Sequence, residues 1–116
     1  MKSEELKKRT KASGLKVITL VEELPKSRTA DVIGRQLLRA ATSVGANYRA
    51  ACRARSQADF VSKICVAEEE ADESAYWLEL CLDMKIIEES KIAPLLNEAN
   101  ELTAIFAASG KTAKGK

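Results

Sequence analysis

The sequence contains no histidine among its 116 residues. That removes the commonest general base and the commonest transition-metal ligand together. Only five aromatics, five glycines and two prolines are present. With Ala, Leu, Glu, Lys and Arg abundant, this composition favours helices over sheets. The three cysteines, Cys52, Cys65 and Cys81, are odd in number and lack C-x-x-C spacing, which suits reduced, buried thiols rather than a disulfide framework. No apolar run approaches the roughly 18 residues of a membrane span, and the start Met1-Lys2-Ser3-Glu4-Glu5 lacks the apolar stretch of a signal peptide. A cytoplasmic protein with no membrane partner is expected. A Gly-rich phosphate loop and a nucleophile–base spacing are also missing, so neither an enzyme nor a cofactor is expected.

What is present is charge, unevenly spread. Residues 1–55 carry thirteen Lys/Arg against five Asp/Glu, a net +8. Residues 56–110 carry three against twelve, a net −9, and the tail 111–116 adds +3. One half of the chain can face a polyanion and the other cannot. The length suits a single core. Helical punctuation divides it into four stretches, with residues 1–110 as one domain and 111–116 as a disordered basic tail. Helix one starts at Ser3 as N-cap and ends before Pro25, with Leu6, Leu15, Ile18, Val21 and Leu24 at near-helical spacing. Helix two runs from about Thr29 to Arg55. Helix three follows from a Ser56 cap to about Ile87, and helix four spans about Glu89 to Ser109. Short connections between long helices predict an all-α, up-down antiparallel four-helix bundle. Such a thin, alanine-rich bundle gains from burying a second surface in an oligomer.

Helix two has two opposed faces. At 100° per residue, Arg35, Arg39, Arg49 and Arg53 share an arc of about 80°. Ile33, Leu37, Ala40, Val44, Tyr48 and Ala51 lie opposite. With Arg55 just beyond, the arginines form a candidate track for a nucleic-acid backbone, RNA or DNA, because guanidinium makes bidentate phosphate contacts. The competing reading is a solvated polar face, or charge pairing with acidic residues of helix three in the same or another subunit. The helix has no interleaved exposed aromatics, so contact would be with the backbone and salt-sensitive. Ser43 and Asn47 flank the core one turn apart and are candidates for fixing helix register through a neighbouring helix.

On helix three, Phe60, Ile64, Ala67, Ala71, Ala75, Leu78 and Leu82 form a core stripe. Glu69 and Glu73 are an i, i+4 acidic pair, but the di-metal sites of bundles also use Glu-x-x-His, and no metal site is expected. Tyr76, Trp77, Leu80 and Cys81 lie off the core stripe and are the expected subunit interface.

The segment GRQLLRAATSVGANYRAACRARSQADF (Gly34 to Phe60), followed by EEEADESAYWLEL (Glu68 to Leu80), resembles the small bacterial four-helix-bundle family known as the intervening-sequence proteins of 23S ribosomal RNA. Gln36, Arg39, Ala40, Ala41, Ser43, Asn47 and Phe60 fit its pattern in order. Ala50-Ala51 stand where that pattern has Glu-Gly, so nothing is carried over to those two positions. The resemblance implies a left-handed bundle assembling into a ring, a homopentamer. Similar in fold is the accessory variability determinant of diversity-generating retroelements, which associates with a reverse transcriptase and its RNA template. The resemblance therefore implies as partners other copies of the chain, RNA, and a reverse transcriptase or other protein. A non-enzymatic oligomeric module binding RNA or an RNA–protein complex is the expectation. A protein-interaction scaffold whose arginines pair with carboxylates is the alternative.

Overall fold

In a computed structural model describing residues 1–115, the chain is four helices and, among the described residues, no strand. They are α1 (Ser3–Glu22), α2 (Arg28–Cys52), α3 (Gln57–Met84) and α4 (Glu89–Lys114). Each packs on the next, and α4 returns to α1. The result is a rod 47 × 20 × 20 Å.

Local chemistry sets the helix ends, and several differ from the sequence expectation. Ser3 is the first residue of α1 rather than its cap; Lys2 occupies that position without a side-chain bond. At α2 the cap is Ser27, whose hydroxyl accepts from the Ala30 amide at 3.1 Å. The cap at Ser56 is as expected: its hydroxyl accepts from the Asp59 amide at 3.0 Å, and the Asp59 carboxylate accepts from the Arg55 amide at 3.4 Å. The two bonds tie the turn at Arg55–Ser56 to the first turn of a new helix. They therefore end α2 at Cys52, three residues early, and leave Arg53 and Arg55 in the turn. α3 stops at Met84 because Lys85 takes the left-handed conformation, φ 55°.

The last helix overruns its expected end. Gly110 is buried in helical conformation against Ile64, and the Gln57 side-chain amide donates to the Ala113 carbonyl. Residues 111–114 of the expected disordered tail are thus helical, held by the start of α3. Lys116 lies outside the described residues.

Two clusters fill the core. One joins Val17 and Leu20 of α1, Ile33, Leu37 and Ala41 of α2, Ala75, Leu78 and Cys81 of α3, and Ile92, Leu95 and Ala99 of α4. The other joins Leu6, then Val44, Tyr48 and Ala51, then Ile64, Ala67 and Ala71, then Leu102 and Phe106. The Tyr48 and Phe106 rings pack at a tilt of 34°, centroids 5.7 Å apart. In α1 the buried line runs Leu6, Thr10, Gly14, Val17, Leu20, so Leu15 and Ile18, expected on the apolar face, point outward. The reason is close approach of α1 to α2: a Cβ on Gly45 would stand 3.4 Å from the Thr10 hydroxyl oxygen. The Thr10 hydroxyl itself donates back to the Lys7 carbonyl.

Cys81 corrects the expected subunit interface. It is fully buried, because α3 packs on both α2 and α4 and buries a wider arc than one stripe. Burial also pushes its thiol pKa up.

Away from the core, Arg9 clamps α1 to α4. Its Nε and Nη2 donate to the two Glu98 oxygens, each at 2.6 Å, and Nη2 also reaches Glu101 at 3.0 Å. The hydrogen bonds to Glu98 hold its pKa above the ordinary arginine value.

Two outcomes test this packing. Phe106→Ala empties the centre of the second cluster and should cost about 3–5 kcal/mol, read from urea unfolding. A thiol titration should show Cys52 modified quickly, half-buried Cys65 more slowly, and Cys81 only on unfolding. Modification of all three at one rate in the native protein would contradict the buried position of Cys81.

Candidate nucleic-acid interface

The five candidate arginines do not act as one track. Arg35 Nε donates to Asp31 at 3.1 Å, one turn back on the same exposed face. Arg39 reaches across to α3: Nη1 donates to Glu70 at 2.9 Å, and Nη2 donates to Glu73. Those carboxylates, Glu70 first, raise its pKa. The same Glu73 oxygen accepts from the Trp77 indole at 3.1 Å. Charge pairing with helix three is therefore present, and within one chain, at Arg39.

The remaining three stand at the other end of α2. Arg49 lines a groove between α1 and α2 together with Lys7, Lys8 and Lys11. Arg53 is the C-cap residue of α2, and Arg55 lies in the turn. Among the described residues, none of these three arginines makes an ion pair. The Asp59 carboxylate meets the Arg55 backbone rather than its guanidinium.

Sequence reasoning missed the lysines that join them. The Gln57–Ala113 bond brings the last turn of α4, with exposed Lys111 and Lys114, to the turn carrying Arg53 and Arg55. No periodicity within one helix reports such a meeting. The acidic residues of this end are few: Glu4, bonded to Lys7 at 3.1 Å, Glu5 near the N-terminus, and Asp59 at the cap. The bundle is thus electrostatically polarised along its length, with a basic end around the α2–α3 turn.

The other site candidates are placed as follows. Asn47 Nδ2 donates to the Ser43 carbonyl at 2.9 Å, within α2. The expected bond to a neighbouring helix is not formed; the amide satisfies itself locally because its partner lies one turn back on the same face. Tyr76 is exposed, and Trp77 and Leu80 are half-buried against the first cluster. No group of three or more Cys, Asp or Glu residues, among those described, is placed to hold a metal ion. None of the helices is long and apolar enough to cross a membrane.

The fold is similar to that of a protein of unknown function from the S23 ribosomal protein family of Bacteroides thetaiotaomicron. The two superpose with a TM-score of 0.86 at 32% identity, covering 96% of this chain and 99% of that one. No curated protein matches the sequence. Residues 2–108 match the 23S rRNA-intervening sequence proteins along almost the whole bundle, and the chain belongs to that family.

Proposed function

We propose that the protein is a non-enzymatic, oligomeric nucleic-acid-binding accessory, built as an up-down left-handed bundle that assembles into a ring, and that it works in the cytoplasm. Its ligand is the backbone of structured RNA, alone or within an RNA–protein complex. The observation that carries this reading is the basic end: among the described residues Arg53 and Arg55 have no carboxylate partner, and their turn is tied to the last turn of α4, which bears Lys111 and Lys114. Unpaired cations can exchange counterions for phosphates, whereas Arg35 and Arg39 would first have to leave Asp31, Glu70 and Glu73. The family's association with rRNA intervening sequences supports RNA over other polyanions. The Arg39 pair favours a second reading, a protein-interaction scaffold in which the arginine stripe serves only carboxylates.

Fluorescence anisotropy with labelled structured RNA and duplex DNA, over a series of salt concentrations, separates the two. Wild type should bind with an affinity that falls steeply as salt rises. Replacing Arg53, Arg55, Lys111 and Lys114 by alanine should weaken binding at least about tenfold and flatten the salt slope by roughly 0.9 for each phosphate no longer neutralised. Arg35→Ala with Arg39→Ala should stay within about threefold of wild type, since those groups are already engaged. If wild type fails to bind at low salt, the scaffold reading replaces this one.

A further inference from the structure

Two faces of the bundle carry apolar side chains that nothing among the described residues covers. The first is the groove between α1 and α2, about 460 Å³ in volume. Gly14, Ala41, Gly45 and Ala46 line it and are too small to fill it. Leu15 and Ile18, 56% and 39% exposed, form its wall at one end. Lys8, Lys11 and Arg49 surround the other end.

The second face is a ridge along the outer side of α3. Tyr76 and Met84 are 53% and 42% exposed there, with Trp77 and Leu80 half-buried beside them. The Tyr76 ring packs edge-on against Trp77, centroids 5.2 Å apart, and the Trp77 indole is itself held by Glu73. Tyr76 is therefore a braced knob, costing little side-chain entropy to present. Glu69 and Asp72, both exposed, precede it on the same face.

We propose that the groove receives this ridge from a second copy of the chain. The inference rests on the oligomeric reading above and assigns its contact surfaces. The two faces match in sequence order. Along α1 the groove reads Lys8, Lys11, Leu15, Ile18; along α3 the ridge reads Glu69, Asp72, Tyr76, Leu80. Both run cation or acid first and apolar residues after, at nearly the same helical intervals. Laid side by side in the same direction, the helices pair each lysine with a carboxylate and each exposed aliphatic residue with the Tyr76–Leu80 ridge. Reversing one helix would set the carboxylates on Leu15 and Ile18, which disfavours that alternative.

Within one chain the two faces cannot meet, because α1 and α3 make no contact among the described residues. The interface is heterologous: every copy offers one groove and one ridge, so copies add head to tail until the arrangement closes.

Disulfide trapping tests this, in a chain whose Cys52 and Cys65 are replaced by serine. Leu15→Cys and Tyr76→Cys together should give, on mild oxidation, a ladder of cross-linked species ending at the size of the native oligomer. Either cysteine alone should give no ladder and no dimer. Tyr76→Asp in the natural sequence should weaken assembly at least about 100-fold, as loss of a central aromatic anchor does, read by sedimentation velocity. Dimers from Tyr76→Cys alone would show a two-fold symmetric contact and overturn the proposal. So would an oligomeric wild type whose double-cysteine variant gives no ladder and whose Tyr76→Asp variant assembles normally. A wild type monomeric at tens of micromolar in sedimentation velocity would remove the oligomeric reading itself, and the interface with it.

Discussion

Alanine in the helix seams is the constraint from which the other features follow. Ala40, Ala67, Ala71, Ala75 and Ala99 stand where larger aliphatics would separate the helices. Phe106 is the largest side chain fully enclosed. The bundle is consequently narrow for its length, and it buries limited apolar area per residue. Two consequences are visible. The helix pair with the slightest packing, α1 on α4, is held by the Arg9 clamp on Glu98 and Glu101. And close approach of α1 to α2 through Thr10, Gly14 and Gly45 rotates Leu15 and Ile18 outward, leaving an open groove.

The same economy divides the arginines. A guanidinium in the middle of α2 lies within reach of the acidic residues of α3, and Arg39 is taken up by Glu70 and Glu73. Beyond the last turn of α2, neither Arg53 nor Arg55 is ion-paired among the described residues. Both instead lie in the turn that the Gln57–Ala113 bond joins to the last turn of α4, which carries Lys111 and Lys114. Position along the rod, more than residue type, therefore separates an arginine held in an ion pair between helices from one that is not.

Much of this architecture is legible in the sequence, and the omissions have physical causes. The four helices follow from apolar periodicity and from Pro25 and Ser56. The core positions of α2 from Ile33 to Ala51 lie where the helical wheel sets them. The buried face of α1 is not legible, because Thr10 and Gly14 do not look like core residues; they are buried only because α2 comes so close. Cys81 misleads for the opposite reason: a wheel assumes one buried stripe, whereas α3 is packed from two sides. The pairing of Arg39 depends on how α2 and α3 register, which one helix's pattern does not contain. Gly110 reads as a stop signal in sequence, yet here it is a contact point that lets α4 continue.

Helix direction ties the basic end to the groove and ridge. Leu6 of α1 and Ile64 of α3 share the cluster nearer the basic end, while Leu20 and Cys81 share the other. α1 and α3 therefore both lead away from the basic end. A contact that lays α3 of one copy along α1 of the next in the same direction keeps every basic end on the same side. A closed ring built this way collects the Arg53, Arg55, Lys111 and Lys114 groups of all copies on one rim. Phosphate contacts that are weak singly would then act together on one RNA, since the second contact is made at the high local concentration set by the first. A ring-deficient protein with an intact basic end should accordingly lose more affinity for a long structured RNA than for a short one. The reason is that only the long ligand spans several subunits.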